Sequence, residues 1–109
     1  MTNHLPTRTP EQRADDLLKA AAVRVERAEV KNRLKRGQTT LADVLKDAEK
    51  DPVLAKTKVQ ALLEAMPGVG KIRATEIRER LGIAEGRNAG GLGPVQRAAL
   101  EREFEPALV

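Results

Sequence analysis

The residues best suited to chemistry in this chain are Pro67-Gly68-Val69-Gly70-Lys71, and the chemistry they suit is anion binding by main-chain N–H groups. Two glycines two apart let a backbone turn with positive φ and let a second backbone come close. A helix that begins directly after them presents N–H groups with no internal partner and the positive end of its dipole. A phosphate can sit there without help from any base edge. The elements that must hold such a corner are two helical patterns, Val59 to Met66 behind it and Ile72 to Leu81 ahead. Together they read as a helix-hairpin-helix over residues 59–81. Val69 is the apolar pin between the helices, and Ala74 is small where they cross. The competing reading is an ordinary tight connection between helices, which often contains Gly. A P-loop does not fit: it needs Gly where Ala65 stands and Ser or Thr where Ile72 stands, and it follows a strand.

The 109 residues allow one small domain, or one domain plus a long helix. The hydrophobic fraction of 40% is mostly Ala, Leu and Val, and Phe104 is the one aromatic residue, so the core is thin and leans on helix packing. With no Cys, disulfides and thiolate metal sites are excluded. No apolar run approaches a membrane span, and no signal-peptide pattern opens the chain, so a cytoplasmic location is expected.

Nothing alternates with period two for long enough to make a strand, and the expected fold class is all-α. Residues 1–9 read as a flexible tail. Thr9-Pro10-Glu11-Gln12 then forms a capping box with Pro in the first turn. A long helix is expected over residues 10–36, ended by Gly37. Its apolar face is weak (Val23, Val30, Leu34), so part of it projects from the body, and Asp15-Asp16 compensate the dipole of its first turn. Residues 38–105 form the helical domain. Thr40 starts one helix, with Leu41, Val44, Leu45 and Ala48 as its stripe. Pro52 opens a third, buried at Leu54, Val59, Leu62, Leu63 and Met66. After the hairpin, Ala74, Ile77 and Leu81 repeat at helical spacing and Gly82 caps the end. A loop with Gly86, Gly90, Gly91 and Gly93 leads to a last helix from Pro94 to Phe104.

The net charge of +4 is placed, not spread. Residues 1–37 hold nine Lys or Arg against five Asp or Glu, residues 52–91 hold seven against four, and the remainder is net acidic by three. On the first helix Arg24, Arg27, Lys31 and Lys35 form one stripe, read either as a solvated face or as a DNA-contacting one. Lys56, Lys58, Lys71 and Arg73 flank the hairpin, where they would neutralise phosphates. That contact adds affinity and salt dependence but no sequence choice. Readers of single strands stack bases on aromatic side chains, and Phe104 fits the core better, so duplex backbone binding is favoured. Catalysis finds no support: His4 is a bystander in the tail, no metal-ligand spacing appears, and no base pocket of the glycosylase kind fits in this length.

Thr40-Leu41-Ala42-Asp43-Val44-Leu45, Lys58-Val59 with Leu62-Leu63, PGVGKIRA, Arg80-Leu81-Gly82-Ile83-Ala84-Glu85 and GLG with QRAALEREF together resemble the actinobacterial integration host factor family over nearly the whole chain after the tail. The resemblance implies an all-helical nucleoid-associated protein that binds and bends duplex DNA with little sequence preference, and that supports phage recombination. The hairpin alone is also similar to helix-two-turn-helix parts of ribosomal and repair proteins. One departure stands out. The family places Ser-Arg-Arg-Val-Arg before GLG, whereas this loop reads Gly86-Arg87-Asn88-Ala89-Gly90. Arg87 remains, and the other two arginines implied to bind DNA are Asn88 and Gly90.

The expectation is therefore a monomeric, non-enzymatic protein of the nucleoid, without cofactor or metal, whose partner is the phosphate backbone of double-stranded DNA, with recombinase complexes as further partners. Gly68, Val69 and Gly70 supply amides at a DNA-binding corner that Pro67 opens, Lys71 and Arg73 lie beside them, and Arg87 assists. The alternatives are an RNA- or ribosome-associated factor and a module whose basic helix docks an acidic protein.

Overall fold

Residues 8–104 are described by a computed structural model. The expected tail over residues 1–9, with His4, lies outside them except for Arg8 and Thr9, and residue 105 of the expected 38–105 unit lies outside as well. The protein is all-α. Its helices are α1 (Pro10–Lys35), α2 (Leu41–Asp47), α3 (Pro52–Ala55), α4 (Val59–Glu64), α5 (Lys71–Arg80) and α6 (Pro94–Glu103), with a 3₁₀ turn at Ala89–Gly91. Among the described residues there is no strand, only an isolated antiparallel bridge between Lys58 and Asn88.

The helix starts follow from local chemistry. The Thr9 hydroxyl accepts from the Gln12 N–H at 3.1 Å, and the Gln12 side-chain Oε1 accepts from the Thr9 N–H at 2.9 Å. Thr40 caps α2 through the Asp43 N–H at 3.1 Å, and Asp51 caps α3 through the Val53 N–H at 2.9 Å. The ends of α1 and α5 share one device. Gly37 (φ 71°) and Gly82 (φ 72°) take the left-handed conformation that costs glycine least. The N–H of the following residue then reaches back, Gln38 to the Arg33 carbonyl at 2.8 Å and Ile83 to that of Arg78 at 2.9 Å.

Helix α1 spans about 39 Å at ~1.5 Å per residue, and the molecule measures 61 × 30 × 26 Å. Only Val30 and Leu34 of α1 are buried; Val23 is half-buried and everything before it is exposed. The projecting part is therefore as expected. Glu26, farther along, shares a hydrogen bond with Asp51 at the head of α3, a carboxyl–carboxylate contact that holds Glu26 above the usual carboxylate range and Asp51 below it. Asp15 and Asp16 do not serve the first turn: the acid there is Glu11, and Asp16 instead grips Arg8 in a two-pronged ion pair at 2.8 and 3.0 Å. A side chain more than one turn from the end lies beyond the reach of the terminal dipole.

The core is aliphatic: Leu34, Leu41, Leu62, Leu63, Leu100 and Val59 are its largest fully buried side chains, and Phe104 packs half-buried at its margin. The third helix expected from Pro52 to Met66 is broken. Helix α3 ends at Ala55 and α4 begins at Val59. Leu54, Val59, Leu62 and Leu63 are buried as expected, and Met66 is half-buried against them. The break exists because the segment Arg87–Ala89 takes over its backbone groups. The Val59 N–H donates to the Arg87 carbonyl at 3.0 Å, and the Ala89 N–H to the Thr57 carbonyl at 2.8 Å. The buried Thr57 hydroxyl turns back to the Val53 carbonyl at 2.8 Å. Because Leu34 and Val30 alone seat α1 in the core, Leu34→Ala should cost about 3 kcal/mol of unfolding free energy, measured by urea denaturation.

Candidate nucleic-acid interface

The hairpin corner is a tight turn followed by an open helix start. The Val69 N–H donates to the Met66 carbonyl at 3.0 Å, with Pro67 and Gly68 at the two central positions and Gly68 at φ 74°. That is the type II arrangement, which favours Pro first and Gly second. Val69 is buried and pins the turn to the core, as its pattern predicts. Its amide is therefore engaged within the chain and leaves the set of anion donors. Gly70 differs from Gly68. Its φ is −90°, which any residue adopts, and a Cβ built on it meets nothing within 4 Å. What Gly70 withholds is a capping side chain. Helix α5 has no side-chain cap, so the first-turn amides of Lys71, Ile72 and Arg73 face outward without an acceptor from residue 70.

Behind the corner lies an open groove that sequence order hides. Lys31, Asn32 and Lys35 of α1 form one wall, and Ala61, Glu64, Ala65 and Met66 with Pro67–Gly70 form the other. Two members of the α1 stripe, Lys31 and Lys35, thus meet the hairpin across a chain separation of more than thirty residues. Arg24 and Arg27 lie farther up the helix and do not line the groove. Lys31, Lys35, Lys71 and Arg73 have no ion-pair partner among the described residues, although Arg73 adds to the field that holds the Glu103 carboxylate low. The net-acidic segments use their carboxylates on structure: Glu49 and Glu101 hold Arg97 at 2.9 and 3.2 Å, and Glu103 holds Arg80 at 2.9 Å.

The structure divides the remaining cations. Lys56 follows α3, and the Lys58–Asn88 bridge joins Lys58 to the glycine loop, beside Arg87. These three exposed cations lie on two paired segments, Lys56 and Lys58 on the break after α3 and Arg87 on the loop bonded to it, and form a second basic cluster. Arg87 closes that loop with one guanidinium N–H on the Gly91 carbonyl at 3.0 Å, and its other donors remain. Gly90 is pressed on Ala55: a Cβ built there would stand 2.8 Å from the Ala55 Cβ and 3.2 Å from its Cα. In this chain an arginine at position 90 is therefore blocked by packing, while position 88 is half-open.

Two features escaped sequence reasoning. Ile72 is 76% exposed on the first turn of α5, between Lys71 and Arg73. Its phase carried the signal, because it falls on the opposite side of the helix from Ala74, Ile77 and Leu81. Arg78 is buried without a carboxylate. Its Nε donates to Gln60 Oε1 at 2.9 Å and its Nη1 to the Ile83 carbonyl at 2.9 Å. The Gln60 amide reaches Thr75 Oγ1 at 3.1 Å, and that hydroxyl donates to the Lys71 carbonyl at 3.0 Å. This network ties α4 to both ends of α5 and fixes the open helix start. No residue pattern in one dimension distinguishes Arg78 from a surface arginine.

Comparison with known proteins agrees with this geometry. Residues 34–104 match the S13-like H2TH domain family. The integration host factor of Streptomyces coelicolor is 60% identical over 100 residues, covering 92% of this chain and 94% of that protein. The chain belongs to the integration host factor family. The Mycobacterium tuberculosis integration host factor is 59% identical over 103 residues, covering 94% of this chain and 98% of its own length. A solved structure of sIHF bound to an 8bp palindromic DNA superposes with a TM-score of 0.78 at 59% identity, covering 79% of this chain and 97% of that chain.

Three substitutions separate the roles of these positions in this family member. Gly70→Asp should leave thermal stability unchanged or raised, since a carboxylate caps α5, while weakening duplex binding about tenfold or more by occupying the amides with a negative charge. Equal binding by filter retention would remove the α5 start from the interface. Asn88→Arg should tighten binding and steepen the salt slope by about one, whereas Gly90→Arg should lower the melting temperature, since its Cβ meets the Ala55 Cβ and backbone.

Proposed function

We propose that this protein is a nucleoid-associated, non-enzymatic protein that binds double-stranded DNA through its phosphate backbone and bends it. The observation that carries this reading is the groove in which Lys31 and Lys35 of α1 face the hairpin turn beside the uncapped start of α5. The amides of Gly68, Gly70 and residues 71–73 receive one phosphate group. Lys71, Arg73, Lys31 and Lys35 surround it, with Arg24 and Arg27 extending the positive stripe along the helix. The second cluster, Arg87, Lys56 and Lys58, takes phosphates elsewhere along the duplex. A rigid protein that holds a duplex at two places can impose a curve on it. Contacts of this kind carry no base code, so binding is largely indifferent to sequence.

One chain supplies the whole contact surface, so a single copy occupies a site as a monomer. The setting that suits such a protein is the cytoplasmic nucleoid, where curved DNA assists site-specific recombination complexes, those of phages among them. No described helix is long and apolar enough to cross a membrane.

A second reading is favoured by the S13-like description of the matched domain, since the same fold serves ribosomal proteins. It makes structured RNA the ligand. Duplex DNA is preferred because the 59%-identical sIHF structure contains it and because Phe104, half-buried in the core, is the chain's one aromatic. Gel shifts of the full chain against unrelated duplexes and a structured RNA decide between them. Affinity should differ by less than about threefold between duplexes and should fall about a hundredfold between low and moderate salt. Lys31→Gln with Lys35→Gln should lower the salt slope by about two. Tighter binding to RNA, or affinity flat in salt, would sink the DNA reading.

A further inference from the structure

Three of the five large exposed hydrophobic side chains of the described chain lie on α1: Leu17 (68% exposed), Leu18 (70%) and Val25 (55%). They fall on one side of the helix. Ala14, Leu18, Ala21, Val25 and Ala28 alternate at spacings of four and three, the seam of a two-stranded coil, and Leu17 borders it. At about 100° per residue, this seam points away from Val30 and Leu34, which seat α1 on the body. The basic stripe with Lys31 and Lys35 runs down a third side. Helix α1 thus has one face for the core, one for the groove, and an apolar face that the body leaves open. A contiguous apolar stripe on a small protein marks an interaction surface.

We infer that this face pairs with the same face of a second copy, the two α1 helices lying parallel. The flanking charges select the partner and its direction. With the seam in register, a parallel pair sets Arg24 of one copy against Glu29 of the other, and Leu17 against Ala22. Neither Arg24 nor Glu29 has an ion-pair partner within one chain among the described residues. An antiparallel pair would instead oppose Asp15 and Glu29, two like charges. The seam ends at Ala28, because Asn32, the next position in its spacing, lines the groove. The three alanines let the helices approach closely but bury little. The interface is about 1,000 Å² or less, in the weak and transient class, so single copies dominate in dilute solution. Many copies held along DNA are at high effective concentration, and there pairing joins one duplex segment to another. That consequence rests on the duplex-binding reading; the pairing itself does not.

The chain has no cysteine, which allows a direct test. Full-length Ala14→Cys and, as control, Ala20→Cys are oxidised at high protein concentration without DNA. Position 14 is on the seam and position 20 is off it. Disulfide dimers should form about tenfold faster at position 14, and equal rates at both would overturn the inference. In a mixture of Ala14→Cys and Ala28→Cys, predominance of the mixed dimer would overturn the parallel direction. The consequence is tested by capture of a labelled duplex on a bead-bound one. The triple variant Leu17→Gln, Leu18→Gln, Val25→Gln should bind a single duplex within about twofold of the parent and capture the second about fivefold less. Undiminished capture would overturn bridging through α1. Loss of single-duplex binding by the unmodified chain would overturn the DNA reading and leave the thiol result standing.

Discussion

The burial of Val69 is the constraint on which the corner depends. It drives one residue of a six-residue connection into the aliphatic core while its amide closes the turn on Met66. With that residue fixed, Gly68 must take positive φ and Gly70 must lie extended at the mouth of α5. The neighbours of a buried pin have no choice but to face outward. The open amides are thus a product of packing, and no local propensity for anion binding is required.

The same economy governs the rest of the molecule. A core with one peripheral aromatic cannot hold six helices by area alone. Backbone hydrogen bonds between the 86–91 loop and the break after α3, and the Gln60–Thr75–Arg78 network between α4 and α5, supply the missing specificity. A satisfied polar network in a thin core sets one arrangement of elements where leucines alone would tolerate several. The buried Arg78 makes sense in these terms: its donors meet carbonyl oxygens of Gln60 and Ile83, and it positions α5 without touching the surface it serves.

Much of this was legible in the residues, and what was not had a physical cause. Caps at Thr9 and Thr40, Pro52, and the glycines 37 and 82 are local chemistry, so these helix starts and the ends of α1 and α5 could be read within a residue or two, while the Asp51 cap was not read. The family could be read from motifs in order along the chain. The break between α3 and α4 could not, because it is made by a loop thirty residues away that claims the backbone of Thr57 and Val59. Spacing alone likewise assigned Val69 to two incompatible tasks, pin and donor, and only the hydrogen-bond partner of its amide separates them. The division of the cations into a groove cluster and a loop cluster, and the clash that bars a side chain at Gly90, are tertiary facts of the same kind.

Helix α1 is held from Val23 onward, where Glu26 meets Asp51 and Val30 and Leu34 enter the core, and its residues before Val23 are exposed. Mechanically it is a cantilever. From Val23 to Pro10 the free arm is about 20 Å at ~1.5 Å per residue, so a tilt of ten degrees at the clamp sweeps the tip by about 3.5 Å. The stiffness of the seat around Val30 and Leu34 therefore sets how far along a surface the arm can feel. Small repacking there would retune the reach of the whole protein without altering a single exposed residue.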